Sequence, residues 1–184
     1  MRSRLFAPLI RFWRDRRGVS AIEFALIAPV VMLIYFGMAE FCQAYMAQRR
    51  AGHTASTVAD LMAQSDQTST QDVAAVFAIG DMIMRPFSAD KLSIRVSSVT
   101  MDDKGVARVD WSQANDKALD PRAKAEIISD LPPGLIESEQ SLILGETEFE
   151  YNSAFGQVIK KPIKFTRSYY LRPRTVEKVT CTNC

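Results

Sequence analysis

The chain has 184 residues, 47% of them hydrophobic, and its 23 basic and 21 acidic side chains leave a formal charge of +2. That length holds one modest domain plus an N-terminal segment. Six arginines (Arg2, Arg4, Arg11, Arg14, Arg16 and Arg17) against Asp15 give residues 1–18 a charge of +5, so the remaining 166 carry −3. An acidic remainder offers no basic footprint for a nucleic acid, and none is expected as a partner.

Behind the basic start, Phe24 to Ala39 is 16 residues without a charge, and Val19 to Phe41 is 23 with only Glu23 and Glu40 near the ends. A helix crossing the hydrocarbon core needs about 20 apolar residues, so the segment reads as one membrane span. Arginines on its N-terminal side place the N-terminus in the cytoplasm and export the residues beyond the span. Three readings of this start compete. A secretory signal peptide would use Gly37-Met38-Ala39 as its small-x-small cleavage site. An uncut anchor would let Glu23 snorkel towards the headgroups. Cleavage after Gly18 would place a new ammonium on Val19, within about a turn of Glu23. A charge near the bilayer centre costs on the order of 2.5–3.5 kcal/mol and usually has a partner. Only the third reading accounts for the leader, the glycine and the glutamate together. Pro29 and Gly37 are points where the helix could kink or loosen, although membrane helices tolerate both. Cys42 reads as a small apolar filler.

The stretch Gly18-Val19-Ser20-Ala21-Ile22-Glu23-Phe24, followed by Ala25-Leu26-Ile27-Ala28-Pro29-Val30, resembles the prepilin-peptidase site of type IV pilins and pseudopilins. It looks most like the TadE-like minor pilins of the tight-adherence (Flp, type IVb) pilus system, over roughly residues 16 to 45. The C-terminal "RSYYLRPRT", Arg167 to Thr175, is also similar to such proteins. The resemblance implies a leader over 1–18 removed by a prepilin peptidase between Gly18 and Val19. It further implies a transmembrane helix over 19–45, with Glu23 and Phe24 docking neighbouring subunits, and an exported head over 46–184. Expected partners are other pilin subunits, the pilus assembly machinery, the peptidase and the bacterial inner membrane, with the head periplasmic or carried into an extracellular pilus. The family's larger member with a von Willebrand-type domain does not fit so short a chain, and Asp66-Gln67-Thr68-Ser69-Thr70 is a poor echo of that domain's metal motif.

Past the span, Ala47, Ala51, Ala55, Val58 and Met62 recur at helical spacing, so one helix is expected from about Val19 to Gln64; two helices parted near Arg49-Arg50 are the alternative. A second amphipathic helix carries Val73, Val76, Phe77, Gly80, Ile83 and Met84, with Thr70 as its cap, Asp72 in its first turn and Pro86 ending it. Leu92, Ile94 and Val96 alternate with polar residues as in a half-buried strand, and Asp102-Asp103-Lys104-Gly105 turns the chain into a second strand at Val106 to Trp111. A short helix is expected from Asp120-Pro121, carrying Ala123, Ile127 and Ile128 and stopped by Pro132-Pro133-Gly134. Strands are expected around Ser141 to Tyr151 and Pro162 to Arg172; in the latter, Ile163, Phe165, Arg167, Tyr169 and Leu171 share a face. The fold class is α+β: a long pilin-like helix and a head of about four antiparallel strands with short helices. Glu146, Glu148 and Glu150 share a face, read as solvated, with cross-strand pairing to lysines near Lys160 and Lys164 as the alternative.

Catalytic signatures are sparse: there is no GxSxG, HExxH, P-loop or GxGxxG. His53 is the only histidine and reads as structural or incidental. Cys181 and Cys184 form a C-terminal CxxC, read first as a small disulfide; an unpaired or intermolecular pair and a redox thiol are the alternatives. A redox CxxC needs its first cysteine at a helix N-terminus, and no helix is expected after this one. Two cysteines supply half the ligands of a structural zinc, so no metal and no cofactor are expected. A minor pilin or pseudopilin, not an enzyme, is the leading expectation. The alternative is a single-span envelope protein whose periplasmic domain binds a partner without any filament role.

Overall fold

The computed structural model describes residues 18–115 and 117–184. The leader expected over 1–18 therefore lies, except for Gly18, outside the described residues. Helix α1 spans Val19–Ala63, 45 residues, and runs unbroken through Pro29, Gly37 and Arg49-Arg50. At 1.5 Å per residue it is roughly 67 Å long. Its two halves have different surroundings. No residue from Val19 to Ala39 is buried, whereas Ala44, Ala47, Ala51, Ala55, Val58, Ala59 and Met62 form a buried stripe on the second half. Small side chains on that stripe let the helix axis approach a sheet closely.

After a two-residue strand, β1 (Gln67–Thr68), helix α2 spans Thr70–Ile83. Its cap is Ser69, one residue before the Thr70 expected. Ser69 is extended; its Oγ accepts from the Asp72 N–H at 3.3 Å, and Asp72 Oδ2 accepts from the Ser69 N–H at 3.0 Å. This reciprocal capping box leaves the Thr70 N–H free to bond Asn183 Oδ1 at 2.9 Å.

The sheet is antiparallel, in the order β3-β2-β4-β5, from β2 (Leu92–Met101), β3 (Ala107–Ala114), β4 (Ser141–Tyr151) and β5 (Ile163–Leu171). Asp102 Oδ1 accepts from the N–H groups of Lys104 and Val106 and closes the β2–β3 turn where the Asp-Asp-Lys-Gly run places it. Helix α1 lies across β4 and β5, with α2 against α1. On β4 only a glycine fits under the helix, since a Cβ at Gly145 would stand 2.6 Å from the Ala55 carbonyl oxygen and 2.8 Å from the Ala59 Cβ. Thr147 Oγ1 donates to the Ala51 carbonyl at 2.9 Å, fixing the helix to the same strand.

Two expectations fail on the other side of the sheet. Residues 120–134 form no helix. The backbone of Ala125 and Glu126 exchanges hydrogen bonds with Val109, the Ile128 N–H bonds the Ala107 carbonyl, and Ala125 takes a φ of 66°. A short segment between prolines gains little from nucleating a helix, and the open edge of β3 offers it partners. This segment covers the outer face, so a second apolar cluster of Val99, Val109, Ile128, Ile136, Leu142 and Leu144 forms there, and β2 is buried on both faces. The glutamate row is also not simply solvated. Glu146 is 9% exposed and takes Arg95 at 2.8 Å and Arg122 at 2.9 Å, Glu148 pairs with Lys164 at 2.7 Å, and Glu150 with Lys91 at 3.4 Å.

The last strand is β6 (Thr180–Cys181), which pairs in parallel with β1; Cys181 and Cys184 are joined by a disulfide.

Candidate functional site: the exposed half of the long helix

Gly18 occupies the position just before α1, with φ −94° and ψ −5°, and among the described residues nothing lies within 4 Å of where its Cβ would be. Among the described residues no side chain caps this end or bonds the first N–H groups of the helix. Among the described residues nothing covers the Gly18–Val19 bond at the start of the helix. Glu23 follows Val19 by four residues, on the same helix face, and both are exposed. Phe24 is 71% exposed and begins a run of uncovered apolar side chains: Leu26, Ile27, Val30, Val31, Met32, Leu33 and Ile34. From Val19 to Ala39 the helix rises roughly 30 Å, the thickness of a hydrocarbon core. Pro29 removes one N–H from this stretch, leaving the Ala25 carbonyl without its i+4 donor.

The upper end of this segment is closed by a residue that sequence reasoning missed as a site. Glu40 is fully buried, and its carboxylate accepts three successive backbone N–H groups from the β4–β5 connection: Gln157 at 2.6 Å, Val158 at 3.0 Å and Ile159 at 2.7 Å. One turn below, Gly37 leaves room for that connection; a Cβ there would come 3.3 Å from Val158 Cγ2. The Phe36 and Phe155 rings pack at 5.7 Å between centroids. The last turn of the apolar segment is thus the docking post for a loop of the head. A glutamate ending an apolar run is the only signal of this in the sequence, and its partners lie 117 to 119 residues away.

The other singled-out residues stand apart from this end. Cys42 is an exposed free cysteine, and the Cys181–Cys184 pair sits beyond the far end of α1. His53 lies on the exposed helix surface, its Nδ1 3.3 Å from Thr57 Oγ1. Among the described residues no three His, Cys, Asp or Glu side chains gather in a metal-holding group.

The architecture defines an α+β protein built on one long helix, whose uncovered first half has the length and composition of a single membrane span. Residues 18–60 match the family model of the TadE-like proteins, and over that stretch the chain is similar to them. The match covers nearly all of α1 and none of the sheet. No curated protein and no solved structure matches the chain.

Proposed function

We propose that the protein is a minor pilin or pseudopilin of a tight-adherence, type IVb pilus, a structural or assembly subunit and not a catalyst. The leader over 1–18 holds the chain N-terminus-inside in the inner membrane, with the span over 19–45 and the head over 46–184 in the periplasm. A prepilin peptidase cuts after Gly18. The Val19 ammonium and the Glu23 carboxylate then neutralise each other, within one subunit or between neighbours, and Phe24 and the apolar face beyond it pack against adjacent helices. The reading is carried by one observation: the Gly18–Val19 junction opens an unbroken helix that matches the TadE-like family model over residues 18–60 and carries an exposed Glu23 four residues on.

Mass spectrometry of the mature chain from membranes tests the cut. A start at Val19 is expected, and Gly18 substitution should retain the leader; an intact leader on the wild-type chain would leave a plain anchor, and a start at Glu40 ordinary secretion. Glu23→Ala should spare export and folding while weakening pilus assembly, scored as sheared surface fibres. Unchanged assembly by that variant would sink the docking role.

A further inference from the structure

The loop that Glu40 holds is built like a membrane foot. It joins β4 to β5 and runs Asn152-Ser153-Ala154-Phe155-Gly156-Gln157-Val158-Ile159-Lys160-Lys161. Glu40 and Gly37 pin it against α1 at the top of the apolar segment. Phe155 reaches down to Phe36, four residues and therefore about 6 Å below Glu40 along the helix axis. Phe155 and Val158 nevertheless stay 45% and 53% exposed, so the head brings two large apolar side chains to the span and covers neither fully. Lys160 and Lys161 come directly after, both exposed. Around the same level of the helix stand the exposed tyrosines Tyr35 and Tyr45, a residue type that settles at the boundary between acyl chains and headgroups.

We infer that the Ser153–Lys161 loop is a lipid-binding foot. Phe155 and Val158 enter the outer edge of the acyl region beside Phe36, and Lys160 and Lys161 meet anionic headgroup phosphates on the same face of the bilayer. The occupant follows from continuity and charge: the apolar residues extend the surface of the span itself, and the paired lysines complement anionic lipid. The three bonds to Glu40 hold the loop so that the head leans on the bilayer at a fixed angle. The inference rests on the reading of the uncovered half of α1 as a membrane span.

The test uses the full chain, with Cys42→Ser removing the free thiol and an environment-sensitive fluorophore on Phe155→Cys, Leu33→Cys or Asp103→Cys. Each is reconstituted in vesicles of phosphatidylethanolamine and phosphatidylglycerol. The probe at 155 should show blue-shifted emission, quenching by lipids carrying a shallow nitroxide and protection from aqueous iodide, while the probe at 103 behaves as in water. Lys160→Glu with Lys161→Glu, or replacing phosphatidylglycerol by phosphatidylcholine, should reduce lipid quenching at 155 and leave it unchanged at 33. A probe at 155 in water with the probe at 33 in lipid overturns the foot and leaves the span standing. Both probes in water overturn the foot together with the span. Shielding at 155 that appears only at high protein-to-lipid ratio overturns the foot in favour of contact between subunits.

Discussion

Glu40 accepts three N–H groups from one loop, and this makes a single side chain responsible for the position of that whole connection. Glutamine at this site would keep the shape but present one carbonyl oxygen and an amide that itself donates, so at least one of the three donors would face a donor. Glu40→Gln should therefore speed hydrogen exchange at Gln157, Val158 and Ile159 by about tenfold or more, since hydrogen bonds to a charged acceptor are among the stronger ones. Exchange in the β2–β3 turn should not change. Equal exchange in both proteins at residues 157–159 would remove Glu40 from its place as the anchor. The two glutamates of the segment are unequally legible. Glu23 is read locally, from a glycine five residues before it and a basic leader. Glu40 acts through partners brought to it only by the folding of β4 and β5, and no local pattern encodes that.

At the scale of elements, alternation and spacing translate directly into which faces are buried. The Ala47, Ala51, Ala55, Val58 and Met62 stripe is buried as its spacing predicts, and Phe165 and Leu171 of β5 pack into the core beneath α1, on the face their parity assigns. Gly145→Ala puts a methyl group 2.6 Å from a helix carbonyl, where backbone must move; it should destabilise the head by about 1–3 kcal/mol. Thermal unfolding of the detergent-solubilised chain, followed by near-ultraviolet circular dichroism, measures it. Residues 120–134 depart from the helix their spacing predicts because their helix signals are weak, while the competing edge of β3 is not visible in local spacing. Their anchor is the Arg95–Glu146–Arg122 cluster: burial would raise the Glu146 carboxyl, but hydrogen bonds from Arg95 and Arg122 hold it below its ordinary value near 4.5. A carboxyl lowered in the folded head stabilises it fully above that ordinary value, and the stabilisation fades as pH falls through the lowered one. Glu146→Gln should cost about 3 kcal/mol at neutral pH by leaving Arg95 without a carboxylate and Arg122 with only Glu126, 3.0 Å away. It should also flatten the loss of stability that the wild-type head shows in acid. An unchanged acid profile would show that other carboxylates govern it.

Over the whole molecule, α1 is the lever that joins the uncovered apolar segment to the head, and the C-terminal tail closes over its far end. The Arg174 N–H bonds the Ala63 carbonyl at 2.9 Å, satisfying one of the orphan acceptors at the helix terminus, and the Arg174 guanidinium pairs with Asp60. Thr175 donates to Asp66, Trp111 Nε1 donates to the Val179 carbonyl at 2.8 Å, and Val179 itself is fully buried. The "RPRT" part of the C-terminal stretch thus has a physical task in this fold, which its composition alone does not reveal. These contacts differ in weight. Arg174 is mostly exposed, so Arg174→Ala should cost less than about 1 kcal/mol. Replacing both C-terminal cysteines opens a loop of sequence separation 3, for which chain entropy gives about 2 kcal/mol. Deleting residues 176–184 removes a buried valine, orphans the Trp111 N–H and dissolves the β1–β6 ladder, so it should cost about 3–6 kcal/mol. The order of these three losses, measured as midpoints of thermal unfolding on one detergent-solubilised background, is the decisive quantity. If the clasp works by packing, the truncation is the worst by several degrees and the cysteine variant keeps a folded head. A cysteine variant as damaged as the truncation would mean that the covalent link, not the tail's buried contacts, holds the end of the lever.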